Sequence, residues 1–465
     1  MRLFLYLLLV FLVVACSPTG ANKKNEIIFV THNGPVTYYT NGDGQLAGIE
    51  YDLATLFVKE YLPGYQIKFL VVNSISDVIP SLLKGKANIA AANLSITHLR
   101  QELVLFSKPY QETQQQLIFN NEAEDSPKNL RSIKDLVSIV DKKIAVPADT
   151  SFAERLSQIQ KEQPTLHWQA PKQTNSESLL DEVASGILDF TVADSHVVSV
   201  MQNYYPNLAV AMPLGKPENI AWALPKNTDP QIVKKVNVFF DQIHKDGRLH
   251  NLLDRYYGNS KRLNALDITT FLERTHSLLP KYQHLFKQAQ EVTGLDWRLL
   301  AAVSYRESHW DTFSTSPSNV RGLMMLTEDT ADLMGVTDRL DPKQSIPAGA
   351  KYIVKMKDTL PDRIAEPDRT FMALAAYNIG YAHLEDARVL AKRFKLNPDS
   401  WADVKKTLVM LNKPEYYSTV KYGYASGGAP VIFVESIRSY QRILERYQPN
   451  YAPNAINFKG WAGEY

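Results

Sequence analysis

A chain of 465 residues is too long for one ordinary domain, and its length points to roughly two to four. With 45% hydrophobic and 22% charged residues, it is neither a mostly disordered chain nor a multi-span membrane protein. Its 51 basic and 49 acidic residues leave a net charge of +2 and no polybasic field to hold nucleic acid; one cysteine, Cys16, excludes an internal disulfide.

The first segment reads as a processing signal. Arg2 precedes an apolar run over 3–14, which falls short of the roughly 20 residues a membrane-spanning helix needs. A basic start, a short apolar core and a small residue at the exit form the layout of a secretory signal, here 1–15. The junction Val13-Val14-Ala15-Cys16 resembles the bacterial lipobox, in which the cysteine becomes a lipid-modified N-terminus after cleavage. Each buried lipid methylene contributes about 0.8 kcal/mol, so several chains anchor firmly. Ser17, where lipoproteins of the inner membrane have aspartate, directs that resemblance to the outer membrane, with the protein facing the periplasm. A plain signal peptide with an incidental cysteine is the other reading. Residues 16–25 read as a tether.

From 26 to 258, short β-rich runs (27–31, 67–72, 89–92, 116–120, 143–147 and 190–193) alternate with amphipathic helical patterns such as 51–61 and 76–84. Such alternation predicts a doubly wound α/β arrangement in two lobes. The most informative stretch runs from Gly85 through Asn93, Ser95 and Arg100, followed by Phe106-Ser-Lys-Pro-Tyr110, with Gly48-Ile-Glu-Tyr-Asp52 upstream. These motifs resemble the family 3 extracellular solute-binding proteins, which implies a periplasmic-binding-protein-like domain whose usual ligand is a polar amino acid. A zwitterion needs a fixed cation for its carboxylate and an anion for its ammonium. By resemblance Arg100 and Thr150 contact the carboxylate, Ser95 touches the ligand and Asp194 takes the ammonium. Tyr38 or Tyr39 is a candidate aromatic wall, and Asn93 departs from the small hydroxyl residue expected in that strand. Taken as residues alone, Arg100 could be a surface cation and Asp194 a helix cap before Ser195.

Residues 259–266 are polar and read as a linker. Beyond them helical periodicity dominates, over 269–291, 297–309, 327–334, 346–360, 368–377 and 431–446. In the pattern over 297–309, Leu300, Val303 and Glu307 fall on one stripe, so Glu307 extends an apolar face. Apolar surroundings raise a carboxyl pKa, which suits a general acid for glycosidic cleavage. Ser308 follows, then a loop over 311–319, Arg321-Gly-Leu-Met324 and Ala376-Tyr377-Asn378. This order resembles the lysozyme-like domain of the soluble-lytic-transglycosylase family, and the combination of domains behind a lipoprotein-like signal resembles the membrane-bound lytic murein transglycosylases. The fold expectation is therefore an α/β two-lobed domain followed by a mostly α lysozyme-like domain over 267–465.

The resemblance implies that Glu307 is catalytic, that Ser308 orients sugar or carboxyl, and that Met324, Tyr377 and Asn378 line the groove; Met324 and Tyr377 could equally be core packing. It implies peptidoglycan glycan strands as substrate, cleaved between N-acetylmuramic acid and N-acetylglucosamine with a 1,6-anhydro end. Departures are Met325 where relatives have glutamine, and Ala429 and Phe433 where they carry glutamate and tyrosine. An ordinary glycosidase needs two carboxylates; Asp311, Glu328 and Asp329, in or after the loop, are the best partner candidates, and none matches a family site. No His/Cys/Asp cluster has ligand spacing, so neither a metal nor an organic cofactor is implied. Two other functions stay open: a lysozyme-type hydrolase, and a membrane-anchored amino-acid or muropeptide sensor whose C-terminal domain only grips glycan.

Overall fold

In the computed structural model, residues 25–452 are described apart from 35, 41–44, 125–129, 131, 140, 259–262 and 318. Cys16, the signal segment and all of the tether except Asn25 lie outside the described residues, as does half of the expected linker. Strand Glu26–His32 is almost wholly buried and pairs in parallel with Gln66–Val72 and Ile89–Ser95, setting Phe29 opposite Phe69 and Ile89. Burial on both faces is what a central parallel strand with helices above and below requires. Glu218–Pro225 returns antiparallel between Ile89–Ser95 and Val104–Phe106 to complete the first lobe. In the second lobe the strand order is Leu208–Pro213, Gln115–Asn120, Phe190–Asp194, Ile144–Ala145. The chain crosses between lobes twice, near Gln114 and again between Pro213 and Glu218.

The helical pattern over 269–291 proves to be two helices, Ala265–Ser277 and Leu279–Thr293. Pro280 explains the break: without an N–H it cannot continue a helix but fits the first turn of a new one. At the centre of this domain stands Trp297–Ser308, in which every residue except Arg306 and Glu307 is buried. It packs against Leu279–Thr293 and the terminal helix Gly428–Tyr447. The Tyr305 ring lies 4.5 Å from Phe271, 4.8 Å from Trp310 and 4.9 Å from Tyr440, fixing the helix in rotation.

The clamp's last helix, Arg248–Tyr257, meets the terminal helix directly. Its Asp254 carbonyl accepts from Gly258 N at 2.9 Å, but those of Arg255 and Tyr256 have no backbone donor among the described residues, as is usual at a helix end. Arg438 donates to the Asp254 and Arg255 carbonyls at 3.1 and 2.9 Å, and Arg442 to those of Arg255 and Tyr256 at 2.7 and 3.0 Å. Beneath them Glu435, fully buried, accepts from Trp401 Nε1 at 2.8 Å, Lys405 Nζ at 3.1 Å and Arg438 Nη1 at 2.7 Å. Burial pushes Glu435 upward, but Arg438 and Lys405 outweigh it and hold the carboxyl below its ordinary value. Glu435→Ala leaves two buried cations with Asp254 as their remaining carboxylate. It should cost about 3–5 kcal/mol, read from the denaturant midpoint; a loss under about 1 kcal/mol would show that Asp254 compensates alone.

Candidate active site

Glu307 occupies the last turn of Trp297–Ser308. The helix starts at Asp296, whose side chain accepts from Arg298 N at 2.8 Å, and ends where His309 and Trp310 turn left-handed at φ 51° and 60°. Trp310 folds back and donates from Nε1 to the Ala301 carbonyl at 2.9 Å, so the end of the helix is clamped. Leu300 and Val303 are fully buried and Glu307 half-buried, continuing their stripe. Among the described residues none donates a hydrogen bond to Glu307 or pairs with it. Burial therefore pushes its carboxyl up to about 8, with Arg306 pulling weakly the other way. No second carboxylate is felt there: Asp311, Glu328 and Asp329 are all exposed, and Asp311 accepts from Phe313 N at 3.0 Å.

The hydroxyls of Ser304 and Ser308 both reach the Leu323 carbonyl at 3.0 Å, and Ser308 also reaches the Ser304 carbonyl. Ser308 thus fastens the Arg321–Leu326 turn to the helix beside Glu307. At the turn, Gly322 has φ 80°, and a Cβ there would stand 1.8 Å from the Arg339 carbonyl oxygen. Only glycine meets both demands. Met324 is fully buried with its side chain against Gly349, where a Cβ would lie 2.7 Å from it, so it packs the floor of the site. Its carbonyl accepts from Tyr377 Oη at 2.6 Å. Burial raises the Tyr377 phenol well above its usual value, helped by Glu307 nearby. The Tyr377 ring lies parallel to Phe433 at 6.4 Å, and the Arg306 guanidinium sits 5.8 Å from the Phe433 ring.

Glu307, Arg306, Tyr377 and Phe433 therefore share one neighbourhood. Asn378 is exposed near the end of Asp368–Ile379, Ala429 is exposed, and Met325 is half-buried with φ 44°. Sequence reasoning missed Arg306 as a member of the site and noticed Phe433 only for its missing hydroxyl. The coincidence of Arg306 with Glu307 and of Phe433 with the helical stripe of 431–446 was the available signal.

In the clamp, Arg100 is buried, donating to the Ser95 carbonyl at 3.1 Å, so it is no surface cation. Asp194 occupies the N-cap position of helix Ser195–Met201, as the residue type suggested, but its side chain makes no capping hydrogen bond. Burial, then Glu218, push its carboxyl up to about 7, against Thr113 and Arg100. Ser95 Oγ and Asp194 Oδ1 are buried without a hydrogen-bond partner among the described residues. Thr150 spends its hydroxyl locally, donating to the Pro147 carbonyl at 2.6 Å and accepting from Ala153 N. Glu154 stands 3.9 Å from Arg100, and Arg155 pairs across the lobes with Glu218 at 3.0 Å. Asn93, at φ 51°, joins a buried network with Thr37, Tyr110 and Glu50. Tyr38 packs on Tyr51 and Phe69 in the lobe core, whereas Tyr39 lines a cavity facing the helical domain.

The family model of the bacterial extracellular solute-binding proteins, family 3, matches residues 27–259, and that of the transglycosylase SLT domain matches 284–399. A relative in Methylobacillus flagellatus, a membrane-bound lytic murein transglycosylase F, is 57% identical over 464 residues, 99% of this chain and 97% of its own length. The chain belongs to the membrane-bound lytic murein transglycosylase F family. Members in Nitrosospira multiformis and Pseudomonas putida are 44% and 42% identical, over 93% and 89% of this chain and 88% and 84% of theirs. A periplasmic-binding-protein-like α/β domain precedes a helical SLT domain.

The raised Glu307 pKa has a stability consequence. At low pH both folded and unfolded chains hold the proton; as pH rises from 4.5 towards about 8, the unfolded chain ionises first and the folded state loses ground. Glu307→Gln should therefore gain about 1–3 kcal/mol at pH 8.5, discounted for partial exposure, and almost nothing at pH 4. Thermal melts at the two pH values check this, and an equal change at both would contradict it.

Proposed function

We propose that Glu307 is the single acid–base of this murein-degrading lytic transglycosylase, a peptidoglycan lyase. The reading rests on one observation: a half-buried carboxyl at the end of a buried helix that has no hydrogen-bond or ion-pair partner among the described residues, so that burial pushes it upward. Protonated Glu307 gives its proton to the oxygen leaving C1 of N-acetylmuramic acid as the bond to N-acetylglucosamine breaks. Positive charge gathers on C1 and the ring oxygen, and the substrate's own N-acetyl group shares it. The C6 hydroxyl of the same sugar then attacks C1, its proton passing to the Glu307 carboxylate. The product has a 1,6-anhydro end, the acid is restored, and no water is consumed. A hydrolase of the ordinary two-carboxylate kind would need a second carboxylate to activate water. Tyr377 and the Met324 carbonyl that it holds, with Ser308 behind them, keep the turn in place beside the sugar, and Asn378 lies at the groove's edge.

The domain spans we assign are 26–258 for the clamp and 267–465 for the catalytic part. Within the clamp, an amino acid or muropeptide binds with its carboxylate at Arg100 and at Thr150, whose hydroxyl exchanges its bond to the Pro147 carbonyl for the ligand, its ammonium at Asp194 and a hydrogen bond from Ser95, and its presence is read by the catalytic domain. The unpartnered buried oxygens of Ser95 and Asp194 support this, since buried polar groups are seldom left unpaired. Glu154 holds the place beside Arg100 until a ligand carboxylate displaces it. The protein is membrane-associated and periplasm-facing; the finer reading is an outer-membrane lipid anchor on Cys16.

Two outcomes follow. Glu307→Gln should lower the release of anhydro-ended fragments from purified sacculi at least a hundredfold; parental kcat/KM should fall about tenfold per pH unit above pH 8, with no second carboxylate limb. Mass spectrometry of the fragments decides the route, because hydrolysis adds about 18 Da, one water. Retention of a tenth of parental turnover moves catalysis elsewhere. Separately, Cys16→Ser should shift the protein from the membrane to the soluble periplasmic fraction, and unchanged sedimentation with membranes would remove the anchor.

A further inference from the structure

A cavity of about 840 Å³ lies where both lobes of the clamp meet the terminal helix of the catalytic domain. The first lobe supplies Asn33, Gly34 and Tyr39, the second supplies Glu177 and Tyr204, and the helix Gly428–Tyr447 supplies Arg442, Glu445 and Arg446. None of Ser95, Arg100, Thr150 or Asp194 lines it, so it is separate from the cleft already discussed. A volume of this size suits a small peptide better than a single amino acid.

Its walls carry opposite charges in fixed places. Glu177, half-buried in the first turn of helix Ser176–Ala184, makes no ion pair among the described residues. Burial pushes its carboxyl up to about 7, and Arg446 draws it down only in part. The Arg446 guanidinium, from another element lining the cavity, lies 4.6 Å from the Tyr204 ring and 5.2 Å from Tyr205, whose hydroxyl it reaches at 2.7 Å. Arg442 is held one helical turn earlier by the Arg255 and Tyr256 carbonyls. These contacts hold both guanidiniums in place at the cavity before any ligand arrives, which lowers the cost of binding. The Tyr39 and Tyr204 side chains line the space between, offering apolar surface with a polar tip.

We propose that this cavity is a second small-molecule site, for a short peptide with free amino and carboxyl ends, its ammonium at Glu177 and its carboxylate at Arg442 and Arg446. A peptide seated there touches three bodies at once, so it binds only their assembled arrangement and stabilises it. The site is independent of the proposed cleft ligand, and its test separates the two.

The probe is the tripeptide Ala-Ala-Ala, compared with its N-acetylated and C-amidated forms, titrated calorimetrically into the detergent-solubilised full chain. The free tripeptide should bind and raise the melting temperature, and each blocked form should bind at least tenfold more weakly. Glu177→Gln, a substitution of equal size, should weaken the free tripeptide at least tenfold while leaving the N-acetylated form unchanged. Arg446→Ala should do the converse, weakening the free tripeptide while leaving the amide unchanged. Arg100→Ala should bind the free tripeptide like the parent. Absence of binding at millimolar concentration, equal binding of blocked forms, parental affinity in Glu177→Gln, or a tenfold loss in Arg100→Ala would each overturn the proposal. The last outcome would put the peptide in the cleft instead.

Discussion

The carbonyls at the end of helix Arg248–Tyr257 set the arrangement of the whole molecule. They sit at the negative end of a helix dipole, and those of Arg255 and Tyr256 have no backbone partner within their own helix among the described residues. Arg438 and Arg442 of the catalytic domain supply those partners, and the Arg255 carbonyl takes a bond from each. The same terminal helix carries Phe433 beside Tyr377 at one end and Arg446 between Tyr204 and Tyr205 at the other. A single rigid rod is thus in contact with the catalytic groove, the first lobe and the second lobe. Because guanidinium–carbonyl bonds are directional, the clamp's last helix has one orientation in which all of them form.

The active site depends on the opposite circumstance, a polar group that is left without partners. Every other residue of Trp297–Ser308 except Arg306 is buried, and both nearby serine hydroxyls are committed to the Leu323 carbonyl. Among the described residues Glu307 therefore receives neither a hydrogen bond nor an ion pair that would favour its charged form. Such a carboxyl keeps its proton near neutral pH, as a general acid should. The surrounding backbone is kept in place by close approaches that tolerate no side chain: Gly322 under the Arg339 carbonyl and Gly349 against Met324. Steric constraint and electrostatic neglect act on the same turn.

Local pattern made much of this readable. The Leu300, Val303 and Glu307 stripe needed only helical periodicity, and the first lobe's central strands needed only runs of β-branched and small apolar residues. What escaped was set by contacts between distant segments. Strand Glu218–Pro225 sits far along the chain from the strands it pairs with, and nothing nearby in sequence marks it. The split at Pro280 was legible by rule, but the apolar periodicity on either side outweighed it. Side-chain commitments were least visible: Thr150 caps its own helix, Tyr38 packs inward, and Ser308 bonds to a backbone carbonyl. A motif names the residue type at a position; which neighbour consumes its hydroxyl is decided by tertiary packing. The charges of Arg438 and Arg442 looked like an ordinary helix face for the same reason.

The second lobe's sheet separates two apolar regions. One face joins the core that runs through the first lobe into the catalytic domain, while the other encloses a private cluster around Leu136, Val146, Phe152 and Leu156, with Trp168 packed against it. The remaining described tryptophans, Trp222, Trp297, Trp310 and Trp401, all belong to the shared core. Indole emission is sensitive to its surroundings, so with Trp461, outside the described residues, replaced by phenylalanine, removing Trp168 or keeping it as the sole indole divides the remaining fluorescence between these two regions. Loosening of the private cluster then has its own optical signature, distinct from that of the core that carries the chemistry.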